Sequence, residues 1–244
     1  MLMAVHCAEC PLRRLPIFDP FSAEDVALME ELKIRETVVE PGATVLDQGS
    51  PAPYLFTVLS GMGLRHVRMA DGKRQVINFL MPGDFIGLQG AVLEDMGHTI
   101  EATTRMVLCT FRRDRFFRIF AQNPQRAYDV VWLAASEEHF LGDALATIGQ
   151  LPAIERVAWA IAQIHQRALA LGLALGDTMP FPYRQQDLAD LLGLSLVHTN
   201  KTLARLREMD IVVWRNDALH IRDPGQLHRL AGAEIEPARN RPLL

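Results

Sequence analysis

The sequence predicts an α+β chain: antiparallel strands rolled on themselves, one long helix, and a closing helical segment that ends in a β-hairpin. Three observations predict it. Between Thr37 and Arg113 the apolar period is two, and glycine turns recur about every ten residues. After Pro124 apolar residues return at steps of four and three as far as Gln150. From Arg184 to Arg207 two helical stripes flank a glycine.

Bulk properties narrow the class. The chain has 244 residues, enough for two modest domains, with 49% hydrophobic and 22% charged content. No apolar run approaches the ~20 residues of a membrane helix. No basic stretch followed by an apolar one opens the chain, so no membrane or export is expected. Three cysteines do not make a disulfide framework, which fits the cytoplasm. The net charge of −4 by itself is unsuited to nucleic acid. Its distribution answers this: residues 150–244 hold 11 Lys and Arg against 10 Asp and Glu, a net of +1, and the rest carries −5. Local field governs phosphate contact.

In chain order, residues 1–18 form an arm with Cys7 and Cys10. Two thiolates two residues apart can bind one metal ion, and Cys109 is the only other cysteine. Two ligands do not complete a site, so thiols with no ligand role are the other reading. Residues 22–34 read as a short amphipathic helix, with Ser22 as N-cap and Asp25 three residues on. The strand region follows, punctuated by turns such as Ser60-Gly61, Asp71-Gly72 and Pro82-Gly83. Many short strands with such turns predict an antiparallel sandwich or roll enclosing a small pocket. Residues 114–120 read as a short helix, and Asn123-Pro124 opens the long one. There Ala127, Val131, Ala134, Glu138, Leu141, Leu145 and Ile148 make a heptad seam with one polar interruption. The seam suggests a parallel homodimer, and packing on the chain's own β-domain is the alternative. Pro152 marks a break, residues 153–171 a further helix and residues 172–182 a loop.

The stretch from Arg184 is the most informative. Leu188, Ala189 and Leu192 form the stripe of a first helix, and Gly193 turns the chain. Ser195 caps a second helix, whose Leu203 and Leu206 face the first. Thr199 and Thr202 also point inward, where larger aliphatics would fill better. Outward stand Leu196, Val197, Asn200 and Lys201, with His198, Arg205 and Arg207 nearby and no acid from Ser195 to Arg207. A helix–glycine turn–helix with a basic second helix places side chains in a DNA major groove. Two strands, IVVW and ALHIRD, then make the wing of a winged helix. From Glu234 the tail has two prolines and little periodicity, and is expected to fray.

This order of parts resembles the cyclic-AMP receptor protein / fumarate-nitrate reduction regulator (CRP/FNR) family over about residues 17 to 223. The run Pro82-Gly83-Asp84-Phe85-Ile86-Gly87, Ser60-Gly61, Asn123-Pro124 and Leu194-Ser195 carry the resemblance. It implies these limits: arm 1–18, cyclic-nucleotide-binding-like sensor roll 19–122, dimerisation helix 123–151, winged helix-turn-helix 152–231, tail 232–244. It also implies a homodimer that binds a two-fold site in double-stranded DNA and works with RNA polymerase. No nucleophile–base pair or phosphate-cradling glycine loop points to an enzyme.

Departures from the family pattern set further expectations. The family's pocket glutamate, after Gly87, is Leu88; its arginine and serine are His98 and Thr99; its hydroxyls on the long helix are Leu141 and Gly142. A buried phosphate without its arginine is an unpaired charge, so cyclic AMP is not expected. A pocket of Gly87, Leu88, His98, Thr99 and Leu141 would suit an apolar ligand or fill itself. The oxygen-sensing branch holds an iron–sulfur cluster. Cys7, Cys10 and Cys109 match three of its ligands, but Pro16 stands where a further cysteine belongs, leaving His6 as a conceivable substitute. The family's glutamate and arginine on the reading helix become Val197 and Lys201. Leu196, Val197, Asn200 and Lys201 are expected on base edges, and Arg184, Gln185, Ser195, His198 and Arg205 on phosphates.

Overall fold

The computed structural model describes residues 5–232 and 239–244. Residues 1–4 of the expected arm and 233–238 of the expected tail lie outside the described residues. Contacts divide the chain into two units. The first holds the described residues up to Lys73, then Ile77–Glu138 and Asn240–Leu244. The second holds Arg74–Val76 and the described residues of His139–Arg239. The division by contacts thus falls inside the long helix.

The first unit opens with two short 3-10 turns, Cys7–Glu9 and Pro11–Arg14, and helix α1 (Ala23–Leu32). The Ser22 hydroxyl accepts from the Asp25 N–H at 3.1 Å, and the Asp25 carboxylate accepts from the Ser22 N–H at 2.8 Å. This reciprocal cap fixes where the helix starts. Strands follow, all of the first unit except the first three residues of β5: β1 (Lys33–Val39), β2 (Thr44–Leu46), β3 (Tyr54–Ser60), β4 (Gly63–Arg68), β5 (Arg74–Leu80), β6 (Phe85–Ile86), β7 (Thr99–Ala102) and β8 (Met106–Arg112). One short helix, α2 (Leu88–Leu93), interrupts them. They form two four-stranded sheets, ordered β1-β8-β3-β6 and β2-β7-β4-β5. This is the antiparallel roll that the two-residue period predicts. Gly61 has φ +87°, and a Cβ there would collide with the Arg105 carbonyl, so the Ser60-Gly61 turn admits little else. One core gathers Leu28, Leu55, Phe85, Phe111 and Phe116; a second gathers Val58, Leu80, Ile86, Ile100 and Met106.

Two short helices, α3 (Arg113–Phe116) and α4 (Arg118–Gln122), lead to α5 (Pro124–Gln150). The Asn123 side-chain oxygen accepts from the Arg126 N–H at 3.0 Å at its start. One face of α5 sends Val130 into the roll's core, with Ala127 and Leu133 beside it. The other is an apolar ridge in solvent: Val131, Leu141 and Leu145 are 57%, 43% and 73% exposed. Ala134 and Glu138 are exposed too, and Ile148 is half-buried.

The tail differs from its expectation. Asn240–Leu244 belongs to the first unit, and Leu243 and Leu244 are each only 4% exposed. Arg241 forms a parallel bridge with Phe18. Five residues interrupted by Pro242 show no periodicity, but periodicity is not needed where a tertiary surface supplies the partners. Each leucine so buried contributes about 1.5–3 kcal/mol relative to exposure.

The second unit contains α6 (Ala153–Ala170), β9 (Thr178–Pro180), α7 (Gln185–Leu192), α8 (Leu196–Glu208), β10 (Val212–Arg215), β11 (Ala218–Ile221) and α9 (Pro224–Leu230). The sheet order is β10-β11-β9. Asn216 and Asp217 both take positive φ, as a two-residue hairpin of matching twist requires. Phe181, just after β9, makes edge contacts with Trp214 of β10 at 4.8 Å and with Tyr183 at 4.9 Å. Two elements go beyond the sequence reading. β9 lies in the expected loop, three residues long and without alternation of its own. α9 is capped by Asp223, whose carboxylate accepts from the Gln226 N–H at 2.8 Å.

Candidate nucleic-acid interface

Helices α7 and α8 meet at Gly193, which sits at φ +63° as the C-cap of α7. Only a residue free to adopt that conformation lets the Leu194 N–H reach the Ala189 carbonyl, at 3.0 Å. Ser195 then caps α8, its hydroxyl accepting from the His198 N–H at 3.2 Å. Leu188, Ala189, Leu192, Leu203 and Leu206 are buried as expected. Thr199 and Thr202 are buried too. The Thr202 hydroxyl donates to the His198 carbonyl at 2.9 Å, which settles its polarity within the helix.

The opposite face of α8 is free. Leu196, Val197, His198, Asn200, Lys201, Arg205 and Arg207 are all exposed, Val197 to 65%. Among the described residues no acid pairs with Lys201, Arg205 or Arg207. Ser195, Arg184 and Gln185 are exposed at the helix starts. The Arg184 guanidinium already meets Asp187 at 3.0 Å. Burial works against charge on Asp187, but bonds from the Arg184 side chain and backbone hold its carboxyl below the usual range. Arg184 is thereby oriented as well as charged.

The expected effector residues have separate surroundings. Gly87 takes φ +94° at the start of α2, and Leu88 packs with the core of Leu28, Phe85 and Phe111. The Thr99 hydroxyl donates to the Asp47 carboxylate at 3.0 Å and accepts from the Gln48 N–H at 3.1 Å. Leu141 lies on the exposed ridge of α5. His98 is pushed down to about 4 by burial, with the nearby positive charge of Arg65 adding to it and Glu137 opposing. Arg65 and Glu137 went unnoticed in the sequence. They form an ion pair at 2.8 Å between β4 and α5, and Arg65 also donates to the Phe85 carbonyl at 3.1 Å. Both Leu64 and Arg65 are buried, so strand parity hid the arginine.

Cys7, Cys10 and Cys109 line one cavity. Their surroundings do not fit an iron–sulfur cluster. Pro16 is exposed and not among the residues that line the cavity. His6 turns to Glu30 at 3.2 Å. Leu243 and Leu244 line the same cavity. Among the described residues, no three His, Cys, Asp or Glu side chains are grouped to hold a metal ion. Burial, then the charge of Glu30, pushes the Cys7 thiol up to about 12. Burial pushes Cys109 up to about 11. Both therefore stand as thiols, not thiolates, at neutral pH.

Comparison with known proteins agrees with this geometry. Residues 36–123 match the cyclic nucleotide-binding domain family, and residues 155–230 match the Crp-like helix-turn-helix domain family. The nitrogen fixation regulation protein FixK of Bradyrhizobium diazoefficiens is 27% identical over 93% of this chain and 94% of its own. The transcriptional activator protein FnrL of Cereibacter sphaeroides is 26% identical over 85% of this chain and 84% of its own. The solved structure of FixK2 from Bradyrhizobium japonicum superposes with a TM-score of 0.74 at 24% identity, over 82% of this chain and 98% of that one, a likeness of fold. With a roll, a long helix and a winged helix-turn-helix in this order, the chain belongs to the CRP/FNR family of DNA-binding transcription regulators.

Proposed function

We propose that two copies of this chain associate along α5 and read a two-fold DNA site, one α8 in each major groove. The observation that carries the reading is the exposed face of α8, which carries Lys201 and Arg205 and has no acid before Glu208 at its end. On it Asn200 suits adenine, Lys201 suits guanine O6 and N7, and Leu196 and Val197 suit thymine methyls. Arg184, Gln185, Ser195, His198 and Arg205 flank that face and suit phosphates. The ridge of Val131, Ala134, Leu141 and Leu145, continued by Glu138 and Ile148, is the surface the second copy covers. Symmetry then dictates a palindrome.

The signal in this reading is not cyclic AMP. The one buried arginine beside His98 is spent on Glu137, and the Thr99 hydroxyl is spent on Asp47. The protein acts in the cytoplasm, where bound dimers meet RNA polymerase. Selection from random duplex DNA tests the account. It should return a palindrome with half-site centres about one helical turn apart. A single asymmetric half-site would reject the dimer, and no enrichment would reject the α8 assignment as well.

A further inference from the structure

Three thiols from two distant stretches border one apolar cavity of the first unit, and so does the tail. Cys7 and Cys10 come from the turns before α1, and Cys109 from β8, where it lies opposite Glu36 and Thr57. Leu12, Phe21 and Phe111 supply apolar wall, and Leu243 and Leu244 complete it.

The tail is held as a bound peptide is held. Its backbone pairs: the Arg241 N–H donates to the Ile17 carbonyl at 2.9 Å, and its carbonyl accepts from the Asp19 N–H at 3.0 Å. Its charge is anchored by the Arg241 guanidinium on the buried Asp84 carboxylate at 3.1 Å. The Thr57 hydroxyl donates to the Leu244 carbonyl. Leu244 joins the core of Leu28, Phe85 and Phe111. These contacts form four kinds of anchor, on Arg241 and Leu244, and every partner belongs to the first unit. The residues that join this segment to α9 include 233–238, outside the described residues.

We propose that the roll's surface beside the thiol-lined cavity is a peptide-docking site, that its occupant is the chain's own segment Arg241–Leu244, and that docking narrows the access of thiol-seeking metals and electrophiles to Cys7, Cys10 and Cys109. Leu243 and Leu244 form one wall of the cavity, and the three thiols are only partly exposed with that wall in place. Departure of the segment removes that wall and widens access to the thiols. The chemistry the site selects is a cation, a proline and two leucines, with the cation meeting Asp84. The inference does not depend on how α8 reads DNA.

The experiment measures alkylation by iodoacetamide at each cysteine of the purified full chain, read by peptide mass spectrometry over time. Three proteins are compared: the unaltered chain, Leu243→Asp/Leu244→Asp, and a chain ending at Asn240. Opening the site should speed labelling of Cys7 and Cys109 about ten-fold or more in both altered proteins. A synthetic Arg-Pro-Leu-Leu tetrapeptide added to the shortened chain should restore slow labelling, and Arg-Pro-Asp-Asp should not. That rescue needs a formed cavity, so it separates an open site from a misfolded roll. Equal labelling rates in all three proteins, or no protection by the leucine peptide, overturns the proposal.

Discussion

In the first unit Arg65, Arg126 and Arg241 are drawn inward, and each meets a carboxylate: Glu137 at 2.8 Å, Asp129 at 2.9 Å and Asp84 at 3.1 Å. In the second, Lys201, Arg205 and Arg207 stand in solvent on α8, and among the described residues no acid pairs with them. Both units contain arginines, but they are used differently. A cation drawn from water and paired holds elements together, at a desolvation cost that its partner offsets. A cation left in water keeps its charge available for a phosphate or a base edge. Net charge does not distinguish these uses, which is why −4 is compatible with DNA binding.

The comparison can be broken most severely at the ridge of α5. Leu141→Glu/Leu145→Glu adds charge to a face that in the single chain is exposed and apolar. The monomer should fold normally, the sedimenting species should halve in mass, and affinity for a palindrome should fall about a hundred-fold or more as one half-site is lost. A dimer that survives this change would place the interface elsewhere. Next in size is the buried pair. Arg65→Met leaves Glu137 without its partner and should cost about 3 kcal/mol in chemical denaturation. Arg65→Met/Glu137→Leu should recover most of that, since no charge is stranded. If the double variant is worse than the single, the pair is not the reason for the arginine.

His98 sharpens the comparison through pH. Its folded value, about 4, lies below the 6.5 of a free histidine, so the unfolded chain binds the proton more tightly. The stability it contributes is present above pH 6.5 and is lost as pH falls from there through about 4. Over that window the loss is about 3 kcal/mol at most. His98→Gln should flatten this part of the stability profile, and an unchanged profile would mean that His98 is already protonated in the fold. Smaller again is the effect of Lys201→Ala. It should relax preference at one base position of each half-site by about 1–3 kcal/mol and leave the others alone. A uniform loss across all sequences would move Lys201 to the phosphates.

What was legible in the sequence follows the range of the interactions. Gly193 and Ser195 act on neighbours one to five residues away, so helix, turn and cap were readable together. The roll was readable because glycine turns such as Ser60-Gly61 are local too. The tail was not. Arg241 is 157 residues from Asp84, and Leu244 is 187 residues from Thr57. No local pattern announces a partner at that distance, so a docked segment read as a frayed one. The cysteines fall between these cases. Their identity was plain, but only the fold shows that Cys7, Cys10 and Cys109 share a cavity with Leu243 and Leu244. Strand β9 was missed because three residues cannot display a period.

The central claim, that exposed cations of α8 bind DNA while the paired cations of the roll do not, is tested most directly by salt dependence. The slope of log affinity against log salt should be measured on the selected palindrome for the unaltered protein, Arg205→Ala, and Arg118→Ala, whose exposed guanidinium meets Glu31 at 2.6 Å. A dimer that loses one phosphate contact per copy should show a slope smaller by about two for Arg205→Ala. Arg118→Ala should match the unaltered protein. A slope unmoved by Arg205→Ala, or moved equally by Arg118→Ala, would contradict the account.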